Sequence, residues 1–293
     1  MEFREYLNAA EALVIRGGPE PEEYEELTLA CQNLNEMNLS LEDTQKLHRV
    51  LKPILNKDSV IGFSYLKPHG YSGDFEIINK MYQRWVSPDK NDFHKWDGFF
   101  HNLHSVRAVR NRKQYLINEL NQLIERVDSP RVLNLASGPC SDLHQFFIMN
   151  PKTKIHFDCL DMDRKAIDFG SCVCDNYIDS ITFINMNAFK YNPTTQYDLI
   201  WSAGLFDYFS DKLFIRLLRK MYRSLSSDGK LVVGNFSDYN PSRGAMEILG
   251  QWYLHHRSED TLIDIAIKAG ISRNKINVHS EGTGVNLFLH LNK

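Results

Sequence analysis

The stretch Arg131–Asp142, RVLNLASGPCSD, decides how this chain is read. An apolar strand runs into a loop with a single glycine, Gly138, and then into the polar start of a helix. Strand, glycine loop and helix together present backbone N–H groups to a nucleotide-like ligand. Three features separate this loop from one built for a dinucleotide. Gly138 stands alone, Pro139 removes a backbone donor, and Asp142 puts negative charge where phosphates would sit. A nicotinamide oxidoreductase is therefore the disfavoured reading. A ligand with adenosine but no phosphate fits better, especially one whose cations welcome acids and aromatics. S-adenosylmethionine (SAM) is such a molecule.

Outward from the loop, short apolar runs alternate with amphipathic stretches. The strand candidates are RVLNLA, IHFDCL, ITFINM, YDLIWSA and KLVVGNF, with the clearest helix in DKLFIRLLRKMYRSL. Strands alternating with helices predict a parallel, doubly wound α/β sheet covered on both faces. The closing segment KINVHSEGTGVNLFLHLNK reads as a β-hairpin. CLDMD ends the second strand with Asp161, about twenty residues past the loop, where an acid can accept both ribose hydroxyls. Met162 follows it, and Asp163 is a second candidate. NMNAF ends the third strand, where Asn187, Ala188 and Phe189 would lie near an adenine edge. WSAGLFDYF ends the fourth at the carboxyl edge, bringing in Ser202 and Ala203.

From Arg131 onward the chain resembles the class I SAM-dependent methyltransferases. The resemblance rests on VLNLASGP, the acid after the second strand, NA after the third, LSSDGKLVVGNF leading into the fifth, and the terminal hairpin. It implies a Rossmann-like sheet over residues 128–293, SAM as cofactor, and contacts from Ala136, Gly138, Asp161, Met162, Asn187, Ala188, Phe189, Ser202 and Ala203. More narrowly, GYSGDFEIINKMY with SAGLFDYFSD is similar to a bacterial group that makes hydroxypalmitate methyl esters and lies near SAM cyclases forming azetidine-2-carboxylate. Two positions depart from the wider pattern: Asn134 where an acid is common, and Cys140 where glycine is common.

Residues 1–127 read as an all-helical cap. Phe3, Tyr6, Leu7, Ala10, Leu13 and Val14 share a helical face that stops at Gly17-Gly18. Tyr24, Leu27, Cys31 and Leu34 make a second stripe, and Ser40 with Asp43 opens a third helix. A single long helix is expected from about Phe99 to Val127. Its apolar stripe is interrupted by Arg110 and Lys113, which need anionic partners if buried. Arg110 is the candidate grip on the methionine carboxylate. In the turn GYSGD, Asp74 can cap the following helix, and Tyr71 could lie beside a sulfonium. Phe206, Tyr208 and Tyr177 compete for that role. His255 and His256 are candidate bases in NPSRGAMEILGQWYLHHR, where an acceptor pocket is expected.

Composition narrows the remaining classes. A net charge of -3 offers no footprint for nucleic acid. No apolar run approaches a membrane span. Five scattered cysteines predict reduced thiols in a cytoplasmic protein, and CVC lacks the spacing of a zinc pair. No metal is expected, and oligomeric state is left open. The expected activity is methyl transfer to a small molecule, a carboxylate or a hydroxyl. A cyclase is the alternative: Asn134, Ser202 and an aromatic such as Tyr71 would suit attack of the SAM amine on its own γ-carbon, giving azetidine-2-carboxylate and methylthioadenosine. A non-catalytic SAM-binding protein is the remoter one.

Overall fold

A computed structural model describes residues 2–88 and 93–293. They fall into two compact units: residues 1–109 with 240–253, and residues 110–239 with 254–293.

The first unit is helical. It contains α1 (Phe3–Ile15), α2 (Tyr24–Glu36), α3 (Leu41–Leu51), α4 (Val60–Leu66), α5 (Phe75–Gln83) and α6 (His94–Asn102). The start of α7 (His104–Arg126) and the whole of α11 (Arg243–Gly250) also belong to it. Side-chain caps open several of these helices, as their sequences predict. Ser40 accepts from Asp43 N, and Asp74 accepts from the backbone of Glu76 and Ile77. The expected helix from 99 to 127 is instead two helices. Leu103 adopts ψ 136°, outside the helical range, and breaks the rod between α6 and α7. The apolar spacing continues across this break, so periodicity alone does not reveal it. Segment 240–253 joins the helical unit through specific polar contacts. Gln32 Oε1 accepts from Gly244 N, and Ser242 Oγ accepts from Ser105 N at 2.8 Å.

The second unit is a seven-stranded sheet of β1 (Arg131–Leu135), β2 (His156–Asp161), β3 (Ile181–Asn185), β4 (Tyr197–Ser202), β5 (Leu225–Phe236), β6 (Ile276–Ser280) and β7 (Asn286–Asn292). The order is β3-β2-β1-β4-β5-β7-β6. The first five strands are parallel and β7 runs antiparallel beside β5, which is the doubly wound sheet and terminal hairpin read from the sequence. The remaining helices are α8 (Ser141–Met149), α9 (Arg164–Val173), α10 (Asp211–Arg223) and α12 (Glu259–Lys268). Alternation along the strands feeds two cores. Leu133, Leu135 and Ile200 pack with Phe214 and Leu217 of α10 and with Leu262 of α12. Val132, Leu199 and Trp201 pack with Leu116, Ile117, Leu120 and Leu123 of α7 and with Phe146 of α8. The division between the compact units falls at 109/110, inside α7, whose C-terminal part packs with the sheet.

Candidate functional site

In an open parallel sheet, ligands bind at the carboxyl edge where strand order reverses. Here the reversal falls between β1 and β4, whose ends carry Asn134 and Ala203. The loop after β1 is held in an unusual backbone path. Ala136, Gly138 and Cys140 have φ of +54°, +57° and +54°. Gly138 is favoured by this left-handed conformation, which Ala136 and Cys140 adopt at some strain, and not by crowding, since a Cβ there would meet nothing within 4 Å. The loop is tied to the end of β2: Ser137 N donates to Leu160 O at 3.1 Å, and Gly138 N donates to Asp161 Oδ2 at 3.1 Å.

Asp161 is thus at once a loop clamp and an acid at the strand end. Its Oδ1 accepts from Asp163 N at 2.9 Å. Burial pushes its carboxyl above the ordinary range, and these backbone donors oppose the rise. Two backbone bonds leave capacity on a carboxylate with about four lone-pair positions. Asp163 is placed differently, as the cap of α9, accepting from Lys165 N. Met162 lies exposed beside Asp161.

Asn134 is 3% exposed, and its Nδ2 has no hydrogen-bond partner among the described residues. The hydroxyl of Ser137 in the same loop is also without one. Buried amides and hydroxyls are rarely left so, because the unmet bond costs about 1–3 kcal/mol. Ser202 does not join Asn134. Strand alternation turns Ser202 to the face of Ile200, whereas Asn134 shares the face of Val132. The Ser202 hydroxyl donates instead to Leu135 O at 3.1 Å.

The most informative cation was not the one expected. Arg110 is half-buried, but Arg112 is the deeply buried one, at 8% exposure. Two residues along a helix reverse the face. The buried face takes in Leu103, Val106, Ile117 and Leu120 of the expected stripe and extends beyond it to Arg112, Leu116 and Leu123. Arg112 Nη1 donates to Ala203 O at 2.7 Å, and its guanidinium borders Gly204. No carboxylate lies within 4.0 Å of it among the described residues. Asp142, 8% exposed at the start of α8, and the fully buried Asp207 feel its charge from farther off. Burial raises both carboxyls, that of Asp207 to about 6. Burial also lowers the Lys113 amine, against the pull of Asp142. The edge of β1 and β4 therefore carries a buried cation and a buried anion that are not paired with each other. Such an edge can receive a zwitterionic group.

The other candidates divide between edge and core. Asn187 caps its own turn through Oδ1, which accepts from Phe189 N at 2.9 Å. Ala188 is buried in the core on that side, and Phe189 packs edge-on against Phe209. Tyr177 stacks on Phe147 of α8 at 4.7 Å, and Phe206 is core. His255 is exposed and donates its backbone N–H to Asp207 O, while His256 turns to Phe236. They do not form a paired base. Tyr71 belongs to the helical unit, in the turn before α5, and is 39% exposed. Four cysteines are buried and all five are free. Among the described residues no cluster could hold a metal ion, and no helix is long and apolar enough to cross a membrane.

No family model and no curated protein matches the chain. Solved structures do match its fold. A proposed exported protein of Bordetella parapertussis superposes with a TM-score of 0.64 at 16% identity, over 99% of this chain and 95% of that one. A protein proposed to be an O-methyltransferase of Nostoc punctiforme gives 0.54 at 15% identity, over 79% and 72%. The SAM-dependent methyltransferase SibL, in its apo form, gives 0.54 at 14% identity, over 86% and 73%. The chain has the fold of the class I SAM-dependent methyltransferases.

Proposed function

We propose that this protein binds SAM at the β1–β4 edge and transfers its methyl group to a small-molecule acceptor, a carboxylate or a hydroxyl. The observation that carries the reading is the Asp161–Gly138 clamp: a nearly buried acid at the end of β2, locked to a left-handed loop and retaining free acceptor capacity. The residues suit SAM better than a dinucleotide. Asp142 puts negative charge in the first turn of α8 and its Oδ1 accepts from Leu143 N, which makes that helix end a poor seat for a pyrophosphate.

In this assignment Asp161 would hold the ribose hydroxyls, with Gly138 and Ala136 shaping the loop against them. Met162, Asn187, Ala188 and Phe189 would border the adenine, Asn187 through the amide nitrogen its turn leaves over. Arg112 takes over the carboxylate grip first expected of Arg110, with Ala203 fixing its guanidinium. Asn134, whose Nδ2 is a free donor among the described residues, would face an acceptor atom of the methionine end of the ligand. The aromatic role of Tyr71 remains a proposal of the sequence reading. Bound SAM supplies an electrophilic carbon on sulfonium. The chain's own residues supply position and a dry surrounding, both of which favour a displacement that consumes charge. A carboxylate acceptor would need no base, consistent with the separated His255 and His256.

Calorimetry with SAM, S-adenosylhomocysteine and NAD tests the cofactor. Micromolar binding of the first two and none of NAD is expected; the reverse order would sink the reading.

A second reading is favoured by one observation, the neutral and unpartnered amide of Asn134. An acid would hold the amine of the ligand as ammonium, whereas an amide can leave it neutral and nucleophilic. Intramolecular cyclisation to azetidine-2-carboxylate requires that neutral amine. Mass spectrometry of enzyme and SAM without acceptor distinguishes the two. Equal amounts of methylthioadenosine and imino acid would establish the cyclase, and S-adenosylhomocysteine formed only with an acceptor would exclude it.

A further inference from the structure

The helical unit contains a cavity of about 480 Å³ that the proposed chemistry does not use. Its walls come from α1, α2 and α3, with Trp96 and Leu249 completing them. The space is a cleft between helices, half open to solvent, with Ala9, Ala12 and Leu29 exposed at its mouth. Small side chains on the lining leave the space open, and the half-buried Ala10 and Ala30 are the ones a larger apolar residue could fill inward from. The volume lies within the range of small-molecule pockets, about 300–1,000 Å³.

We infer that this cavity is a binding site for an uncharged, apolar small molecule, separate from the cofactor edge of the sheet unit. The lining argues the chemistry. Leu13, Leu27, Leu34, Leu47 and Leu51 give water few partners, and apolar cavities take apolar guests. Cys31 adds no charge, because burial pushes its thiol up to about 12. The one buried hydroxyl, on Tyr6, already accepts from Asn33 Nδ2. The charged residues on the lining are Arg16, Glu23 and Glu26. Arg16 is neutralised by its ion pair with Glu23, which leaves Glu26 and a net negative rim. An anionic amphiphile meets repulsion there, while a neutral guest does not.

The test uses N-phenyl-1-naphthylamine, an uncharged fluorophore that brightens in apolar surroundings, with intact protein. Saturable one-site binding is expected, displaced by decanol at least tenfold more effectively than by decanoate. Ala10→Leu and Ala30→Leu fill the cavity with good helix formers. Each should weaken probe binding at least tenfold while leaving S-adenosylhomocysteine affinity and the far-ultraviolet spectrum unchanged. If one variant fails to fold, the other and the wild-type displacement series still decide. Absence of saturable binding, binding unaffected by a folded filling variant, or decanoate competing as well as decanol would each overturn the proposal.

Discussion

Replacing Arg112 by methionine separates a binding role from a structural one, because the two make opposite demands on the same side chain. The guanidinium is 8% exposed, donates once, to Ala203 O, and has no carboxylate within 4.0 Å among the described residues. Methionine keeps the apolar stem and removes the charge. Losing a hydrogen bond from a charged donor costs about 1.5–3 kcal/mol. Relieving an unpaired buried cation returns a similar amount, since the effective desolvation penalty is several kcal/mol. The stability of the ligand-free protein should therefore change by no more than about 1 kcal/mol in either direction. The bound state loses more. A bidentate pair with a ligand carboxylate comprises two charge-assisted bonds, and removing it should cost about 2–4 kcal/mol, roughly 30- to 1,000-fold in affinity. Urea melts of the ligand-free protein and calorimetric titration with S-adenosylhomocysteine measure the two quantities. A variant destabilised by more than about 2 kcal/mol with unchanged affinity would refute the reasoning and make Arg112 a strut. Arg112→Lys should recover part of the affinity, since a point charge replaces a fork.

Three further outcomes are expected. Asp161→Asn should weaken S-adenosylhomocysteine binding by about 1.5–3 kcal/mol, since an amide cannot accept at both oxygens; an unchanged dissociation constant by calorimetry would remove Asp161 from the ribose. Asp207 accepts from Phe236 N at 2.6 Å, and its carboxyl rises from the ordinary 3.8 to about 6 in the folded state. A raised folded value means stability is full at low pH and falls as pH climbs from about 4 to about 6, by up to roughly 3 kcal/mol. The wild type should therefore lose ground to Asp207→Asn over that window in urea melts, and a flat difference would contradict the burial argument. Hydrogen exchange in residues 71–82 should slow when S-adenosylhomocysteine is added; protection confined to the sheet unit would end the cap proposal.

The strands and the terminal hairpin were legible because burial on two faces, or on one, writes distinct local patterns. Gly138 and Asp161 were legible for a related reason, since a strand end followed by a turn fixes where their side chains must be. Arg112 was not. A helix face is assigned from its apolar residues, and a helix covered over a band wider than one stripe buries polar side chains such as Arg112 that the pattern leaves outside. The break at Leu103 was hidden for the same reason, as apolar spacing survives a change of direction. Tyr177 shows a different limit: an aromatic in a loop has the same sequence signature whether it faces a ligand or, as here, another ring. The company that 240–253 keeps with the helical unit depends on hydrogen bonds to Gln32 and Ser105, partners more than a hundred residues away.

The left-handed angles at Ala136 and Cys140 bear on how this lineage could drift. A side chain in that conformation costs about 1–2 kcal/mol relative to glycine. Glycine in turn leaves the unfolded chain freer by about 0.5–1 kcal/mol. The second effect offsets part of the first, so exchanging glycine for alanine or cysteine at such a site costs a net of about 1 kcal/mol, which a marginally stable fold can absorb. Selection on the loop's path then leaves its glycines free to erode. The curve of the loop can therefore be kept where the glycines that usually mark it are not, at a modest cost in stability.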